Sequence, residues 1–153
     1  MFFVQPQPRN GEFKGKIMFS FFKRKLSAEA IAKLTPDEAY NYARDNFLFR
    51  GRCLECEKVI ATDAGNSYHY AHKVVRERFP EGEKAIATDA DYSFLYASNV
   101  IMGRFPEGEK AIIADVGTAY EYAATIIQRK WPECEKSIAT SDFYSDLYSR
   151  LRQ

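Results

Sequence analysis

Residues 79–84 read FPEGEK, residues 105–110 repeat the same six letters, and residues 131–136 read WPECEK. The related stretch CLECEK occupies residues 53–58, so the motif recurs at a constant spacing of 26 residues. A short fixed period of this kind is typical of stacked supersecondary units. The repeat therefore decides the expected fold, and it indicates that most recurring residues serve the packing of the units.

The start of each repeat has the chemistry of a helix N-terminus. We number repeat positions so that Phe79 is position 1. Pro80 and Glu81 then favour a helix start, because proline fits the first turn and the acid lies near the positive end of the helix dipole. Position 11 holds good N-cap residues, which are Asp63, Asp89, Asp115 and Ser141. The sequence predicts a short helix over about 80–88 and a longer one over about 90–102.

The longer helix of each repeat carries one apolar face. Its positions 15, 16, 18, 19, 22 and 23 are, in the third unit, Ser93, Phe94, Tyr96, Ala97, Val100 and Ile101. At 100° per residue they cover about 160°, which predicts a core-facing amphipathic helix. We expect the tyrosines at positions 16 and 18 to direct their hydroxyls towards water. Gly51 and Gly103 are expected to end helices as C′ residues.

A unit of one short and one longer helix cannot bury its own apolar stripe, so neighbouring units must stack. The expected fold is all-α, a short α-solenoid of about five two-helix units in a single domain over 26–153. The units lie near 26–52, 53–78, 79–104, 105–130 and 131–153. Residues 1–25 are expected to form a basic extension that caps one end, and polar replacements such as Asp146 are expected to cap the other.

Composition and charge exclude several functional classes. The 153 residues include 22 basic and 21 acidic side chains, so no global field directs the chain to nucleic acid. No run of about 18 apolar residues predicts a membrane span. The three cysteines are an odd number and predict no disulfide framework, which suits a reducing cytosol. We therefore expect a cytoplasmic protein. Met1 and Met18 stay open as alternative starts.

Cys53, Cys56, His69 and His72 nearly match a two-Cys two-His zinc finger, whose ligands form a tetrahedral site. The histidines are separated by two residues, where a finger needs three to five. The intervening segment is also expected to be helical, and the repeat register explains the cysteines as small apolar residues. A redox role for Cys-x-x-Cys lacks its usual strand-rich setting. We therefore expect no metal and no cofactor, with packing favoured for both cysteines.

Basic and acidic residues recur side by side at the unit boundaries. The basic residues are Arg50, Arg52, Arg76, Arg78, Arg104, Arg129 and Lys130, and glutamates follow at positions 3 and 5. A phosphate-binding groove needs the positive row alone, so two opposite rows favour ion pairs between repeats. Nucleic-acid binding, which other helical repeats perform, is kept as the alternative function.

Catalytic motifs are lacking throughout the sequence. It has no Gly-rich phosphate loop, no nucleophile elbow and no His-Glu-x-x-His. His69 has no acid or nucleophile partner that the sequence can assign to it. We therefore expect a protein that is not an enzyme and has no catalytic residue.

Residues that interrupt the repeat are the candidates for binding a partner, because stacking alone would have kept the pattern. They are Lys23, Arg24, Lys25, His69, His72 and Trp131. A helical scaffold with balanced charge and no catalytic set favours a non-enzymatic protein–protein interaction module.

The block from Tyr96-Ala97 through Gly103-Arg104-Phe105-Pro106-Glu107-Gly108 to Ile112 resembles tandem repeats of uncharacterised proteins from tailed phages and bacteria. The resemblance covers about 53–140. It implies an all-helical repeat array and agrees with a phage-encoded accessory protein that binds and modulates a host protein in the host cytoplasm. The first unit departs from the pattern after Ala43, and Cys53-Leu54 replaces the aromatic residue and proline of the other units.

Overall fold

The computed structural model describes residues 25–151, which form an all-helical fold without strands in that range. Helix α1 spans Ala28–Ile31, α2 Pro36–Arg50, α3 Leu54–Ile60, α4 Ala64–His69, α5 Pro80–Ile86, α6 Ala90–Tyr96, α7 Pro106–Ala114, α8 Val116–Tyr122, α9 Glu135–Ile138 and α10 Asp142–Ser149. The predicted all-α class is confirmed. The predicted cap over 1–25 lies outside the described residues except for Lys25.

The helices begin where the predicted N-caps stand. Thr35 and Glu38 form a capping box: Thr35 Oγ1 accepts from the Glu38 N–H at 3.3 Å, and the Glu38 carboxylate accepts from the Thr35 N–H at 2.9 Å. The four residues at position 11 each accept a backbone N–H three residues ahead; they are Asp63, Asp89, Asp115 and Ser141. Local side-chain chemistry therefore sets the starts of these five helices.

The longer helices change winding before they end. Helices α4, α6 and α8 continue directly into the π-helical segments Tyr70–Val75, Ala97–Ile101 and Ala123–Ile127. These segments are followed by non-glycine residues in the left-handed conformation, which are Arg76, Met102 and Gln128. The single α-helix expected over about 90–102 is therefore wrong in its last turns, and Met102 takes the left-handed position expected for Gly103. Gly51 ends α2 with φ of 70°, as predicted.

A buried tyrosine at position 18 ties each helix pair together. Tyr96 has no exposed surface, and its Oη accepts from the Phe79 N–H and donates to Glu83 Oε1, both at 2.8 Å. Arg78 donates Nε and Nη2 to the same carboxylate at 2.9 and 3.0 Å. Tyr122 repeats the pattern with the residues Phe105, Glu109 and Arg104. The expectation that these hydroxyls face water is therefore wrong at position 18.

Aromatic rings at position 1 join each pair of helices to the preceding pair. The Phe79 ring lies 5.1 Å from the Tyr70 ring, and its edge-to-face geometry is the favoured one for buried rings. The equivalent contacts are Tyr96–Phe105 and Tyr122–Trp131, each with centroids 5.2 Å apart. In the same direction α2 packs on α4, α4 on α6, and α6 on α8. The core therefore continues from one unit into the next.

Two kinds of contact alternate between the longer helices. Polar pairs are Asp37–Asn66 at 2.8 Å and Asp91–Thr118 at 3.2 Å, and glycine–tyrosine pairs are Gly65–Tyr92 and Gly117–Tyr144. A Cβ built on Gly65 would lie 2.9 Å from Tyr92 Oη, so glycine leaves the space that this tyrosine occupies. The contact at positions 13 and 14 therefore repeats every second unit, although the FPEGEK motif repeats in every unit.

Candidate functional site

Five aromatic side chains from three helices form a group that we call the aromatic cluster. Its members are Tyr40 on α2, Tyr68 and His69 on α4, His72 in the π-helical segment after α4, and Tyr92 on α6. The Tyr68 ring lies 5.1 Å from the His69 ring and stacks on the His72 ring at 5.5 Å, with 6° between the planes. The His69 ring also lies 6.4 Å from Tyr40 and 6.1 Å from Tyr92.

The cluster is positioned by the contacts that join α2, α4 and α6. Asp63 begins α4 and accepts from the Asn66 N–H at 2.8 Å, while Asn66 Nδ2 donates to Asp37 on α2 at the same distance. On the other side, Asn99 Nδ2 donates to Tyr68 Oη at 3.0 Å. Hydrogen bonds across three consecutive units therefore position the helices that carry the rings, and one of them holds Tyr68 directly.

His69 is the polar centre of the cluster. Its Nδ1 is buried and has no hydrogen-bond partner among the described residues. Burial lowers the pKa of His69, and the positive charges of Lys73 and His72 act in the same direction. Tyr40 and Tyr92 are half-buried, Tyr68 is buried, and His72 is exposed. The cluster thus presents ring edges and one exposed imidazole to solvent around a neutral histidine.

A smaller aromatic group lies towards the other end of the described chain. Tyr120 on α8 lies 5.7 Å from Tyr144 on α10, and Phe143 lies 5.1 Å from Tyr144. Phe143 is 67% exposed. This group has no histidine, so it offers a natural comparison for the aromatic cluster.

The remaining candidate residues lie in different environments. Trp131 is only 2% exposed, packs on Tyr122 and leaves its indole Nε1 without a partner among the described residues, so it belongs to the core and offers no surface to a protein partner. Lys25 is exposed, whereas Lys23 and Arg24 lie outside the described residues. Among the candidates that lie in the described part of the chain, the structure therefore brings together His69 and His72.

Sequence reasoning missed the three tyrosines of the aromatic cluster. Tyr68 falls at position 16, and Tyr40 takes the same place when the first unit is aligned on its N-cap Thr35; the amphipathic pattern assigns this position to the edge of the core. Tyr92 falls at position 14, outside the apolar stripe, where Asn66 and Thr118 stand in neighbouring units. An aromatic residue at a position that is polar in both neighbouring units was the available signal.

Cys53 and Cys56 are joined by a disulfide, which corrects the expectation that they act as separate small apolar residues. Cys53 is also the N-cap of α3, where its Sγ accepts from the Cys56 N–H at 3.3 Å. Cys134 is a buried free thiol, and burial raises its pKa. Within residues 25–151, no three His, Cys, Asp or Glu side chains group as possible metal ligands.

The recurring arginines are paired with acids. Arg52, Arg78 and Arg104 contact the carboxylates of Glu57, Glu83 and Glu109 at 2.7–2.9 Å. Each pair joins the last position of one unit to position 5 of the next, so the predicted ion pairs between repeats are confirmed here. Their positive charges are compensated at the positions where a phosphate backbone would need them free.

A groove of about 510 Å³ runs between the α3–α4 turn and α5. Its ionisable side chains are Asp63, Glu81, Lys84 and Asp89. Asp63 and Asp89 accept the hydrogen bonds that begin α4 and α6, so both carboxylates have a structural partner. The groove therefore brings together charges without an evident nucleophile and base.

None of the helices described is both long and apolar enough to cross a membrane. Comparison with family models, with curated proteins and with solved structures finds no match.

Proposed function

We propose that this chain is a short α-solenoid that acts as a non-enzymatic protein-interaction module, with the aromatic cluster as its docking surface. The recurring Tyr96–Phe79 type of hydrogen bond and the ring contacts between consecutive units support the solenoid. The resemblance to repeats of tailed-phage proteins points to a host protein as the partner.

The observation that carries the proposal is the position of the aromatic cluster across α2, α4 and α6. Half-buried tyrosines on a rigid scaffold provide large contact area at small entropic cost, and protein interfaces are enriched in them. Tyr40, Tyr92 and His72 leave ring surface open to solvent, while Tyr68 and His69 hold them in place. A partner that covers these rings gains apolar contact without reordering the helices.

Nucleic acid is the weaker alternative because the recurring cations are compensated. Arg52, Arg78 and Arg104 each donate to a glutamate, which leaves no uninterrupted positive row along the boundaries. Titration of fluorescent single- and double-stranded nucleic acid at low salt is expected to show no binding. Saturable binding with a steep salt dependence would favour the alternative instead.

The proposal is tested by affinity capture with a matched pair of surface variants. His72 and Thr125 are both exposed in π-helical segments, so a glutamate at either position adds the same charge without disturbing the core. We expect the H72E variant to lose a partner protein that both the wild type and T125E retain. Equal retention by both variants would contradict this surface, and no reproducible partner for the wild type would contradict an interaction module.

A further inference from the structure

A pair of sulfur atoms replaces an aromatic ring at the first unit boundary. Position 1 holds Phe79, Phe105 and Trp131 in the later units, and these rings are 0–2% exposed. A Cβ built on Gly82 at position 4 would lie 2.5 Å from Phe79 Cδ1, so the side chains of positions 1 and 4 share one space. In the second unit this space belongs to Cys53 and Cys56, and it is spanned by their disulfide.

The two sulfur atoms differ in access. Cys53 is half-buried and stands beside Leu54, which is 62% exposed, so Cys53 is the cysteine nearer to solvent. Cys56 has no exposed surface. Disulfides that are accessible in this way are the labile ones in thiol–disulfide exchange, whereas fully enclosed ones resist attack.

We propose that Cys53 and Cys56 form a thiol–disulfide exchange site whose oxidation state controls the boundary between α2 and α3. The reductant is a dithiol, and the pair is closed again by the corresponding disulfide. This activity goes beyond the proposed docking surface and does not depend on it.

The exchange proceeds in two displacements. A thiolate of the dithiol attacks Cys53 Sγ, the bond between the two cysteines breaks, and Cys56 leaves as a thiolate. The second thiolate of the reductant then attacks the reductant's first sulfur, which is bonded to Cys53 in the mixed disulfide. Cys53 leaves as a thiolate. The dithiol is oxidised to a disulfide, the protein gains two electrons, and the two protons of the dithiol reach the cysteines through solvent.

The geometry stabilises the thiolate that Cys53 forms in the second displacement. Its Sγ already accepts from the Cys56 N–H at 3.3 Å, and this hydrogen bond strengthens when the sulfur becomes a thiolate. Cys134 provides the contrast, because it occupies position 4 and is buried like Cys56 but is a free thiol. Since it has no disulfide partner and no exposed surface, Cys134 stays outside the reaction.

Opening the disulfide frees the start of α3, which lacks a hydrogen bond that the later units have. Phe79 donates its backbone N–H to Tyr96, but among the described residues Cys53 makes no equivalent hydrogen bond to Tyr70. Helix α3 packs on both α1 and α2, and Cys53 stands at its start. After reduction, a thiol stands where the later units have a ring, and the first turn of α3, which packs on α2, loses its covalent closure.

The first experiment equilibrates the folded chain in mixtures of reduced and oxidised dithiothreitol and traps thiols with N-ethylmaleimide before intact mass measurement. We expect two thiols to appear together as a cooperative pair, and Cys134 to react only after unfolding. C134S provides the matched control and should give the same midpoint. A pair that never oxidises, or that native reduction leaves closed, would overturn the proposal.

The second experiment compares amide hydrogen exchange of the oxidised and reduced wild type. We expect exchange in α2 and α3 to rise by about 20-fold on reduction, the size given by chain entropy for so short a loop. Helices α7 and α8 should be unchanged and act as an internal control. Unchanged exchange in α2 and α3 would overturn control of the boundary, and no cysteine variant needs to fold for this outcome.

Discussion

The hydroxyl of Tyr96 accepts a hydrogen bond of 2.8 Å from the backbone N–H of Phe79, which lies 17 residues earlier in the chain. The same hydroxyl donates to Glu83, whose other partner is Arg78. Burial disfavours the ionised form of Glu83, but the hydrogen bonds from Arg78 and Tyr96 outweigh it and lower the pKa. The buried Tyr96 hydroxyl therefore satisfies both the backbone N–H of Phe79, at the start of α5, and the carboxylate of Glu83 within α5.

Replacing this hydroxyl tests its contribution to stability. Tyr96→Phe leaves the Phe79 N–H without its acceptor in the core, so we expect a loss of about 1–3 kcal/mol in the free energy of unfolding. Tyr92→Phe is the control, because Tyr92 is half-buried and its hydroxyl has no hydrogen-bond partner among the described residues. Urea denaturation of both variants measures the difference, and equal losses would contradict this role.

The left-handed backbone at Met102 predicts a stabilising substitution. Met102 has φ of 54° and is 82% exposed, so Met102→Gly relieves backbone strain and removes little packing. The relief of about 1–2 kcal/mol exceeds the entropic cost of glycine, which is about 0.5–1 kcal/mol. We expect a net gain of about 0.5–1 kcal/mol in thermal or urea denaturation. Gly103→Ala is the control and should change stability by less than about 0.5 kcal/mol.

Close packing at Gly82 predicts a destabilising substitution. An added Cβ would lie 2.5 Å from Phe79 Cδ1 and 2.7 Å from Ser67 Cβ, so either the ring or the neighbouring helix must shift. Gly82→Ala is expected to cost about 1–3 kcal/mol, as overpacked cores do. Denaturation of G82A beside G103A separates this clash from the general effect of replacing glycine. A neutral G82A would mean that the boundary is looser than its geometry indicates.

Acid is expected to weaken the contacts around His69. Since burial lowers the pKa of His69 in the folded state, the unfolded state binds more protons below its pKa of about 6.5. The stabilisation that neutral His69 provides is fully present above that pH. It is lost as the pH falls towards the pKa of His69 in the folded state. The melting temperature of the wild type should therefore fall more than that of His69→Gln between pH 7 and pH 5. The exposed His72→Gln is the comparison and should keep most of the wild-type fall, because burial is the largest cause of the lowered pKa of His69.

The proposed unit boundaries predict how deletions behave. Removing residues 79–104 deletes one whole unit in register, so the shortened chain should remain a folded helical protein. In the shortened chain, Thr118 would lie opposite Gly65, where Tyr92 packs in the full chain. We therefore expect lower stability than that of the full chain. Removing residues 86–98 breaks the register and should unfold the protein. Circular dichroism and thermal denaturation compare the two, and equal results would contradict the boundaries.

Local chemistry explains why much of the fold was predictable. Thr35, Asp63 and Asp89 act on backbone groups only three residues away, so their capping role is visible in the sequence itself. The π-helical segments were not predictable in the same way, because the apolar stripe of an amphipathic helix does not specify whether its last turn winds as α or π. The candidate site was predicted only through His69 and His72, which interrupt the repeat.

The sequence by itself determined that the chain is helical, where its helices begin, and that aromatic residues recur every 26 positions. Only the tertiary structure decided that the Tyr96 hydroxyl is buried, that Trp131 belongs to the core, and that Tyr40, His69 and Tyr92 meet on three helices. The physical reason is the separation along the chain of the residues that make each contact. Caps form between residues three positions apart, whereas these contacts depend on the angle and register at which whole helices pack.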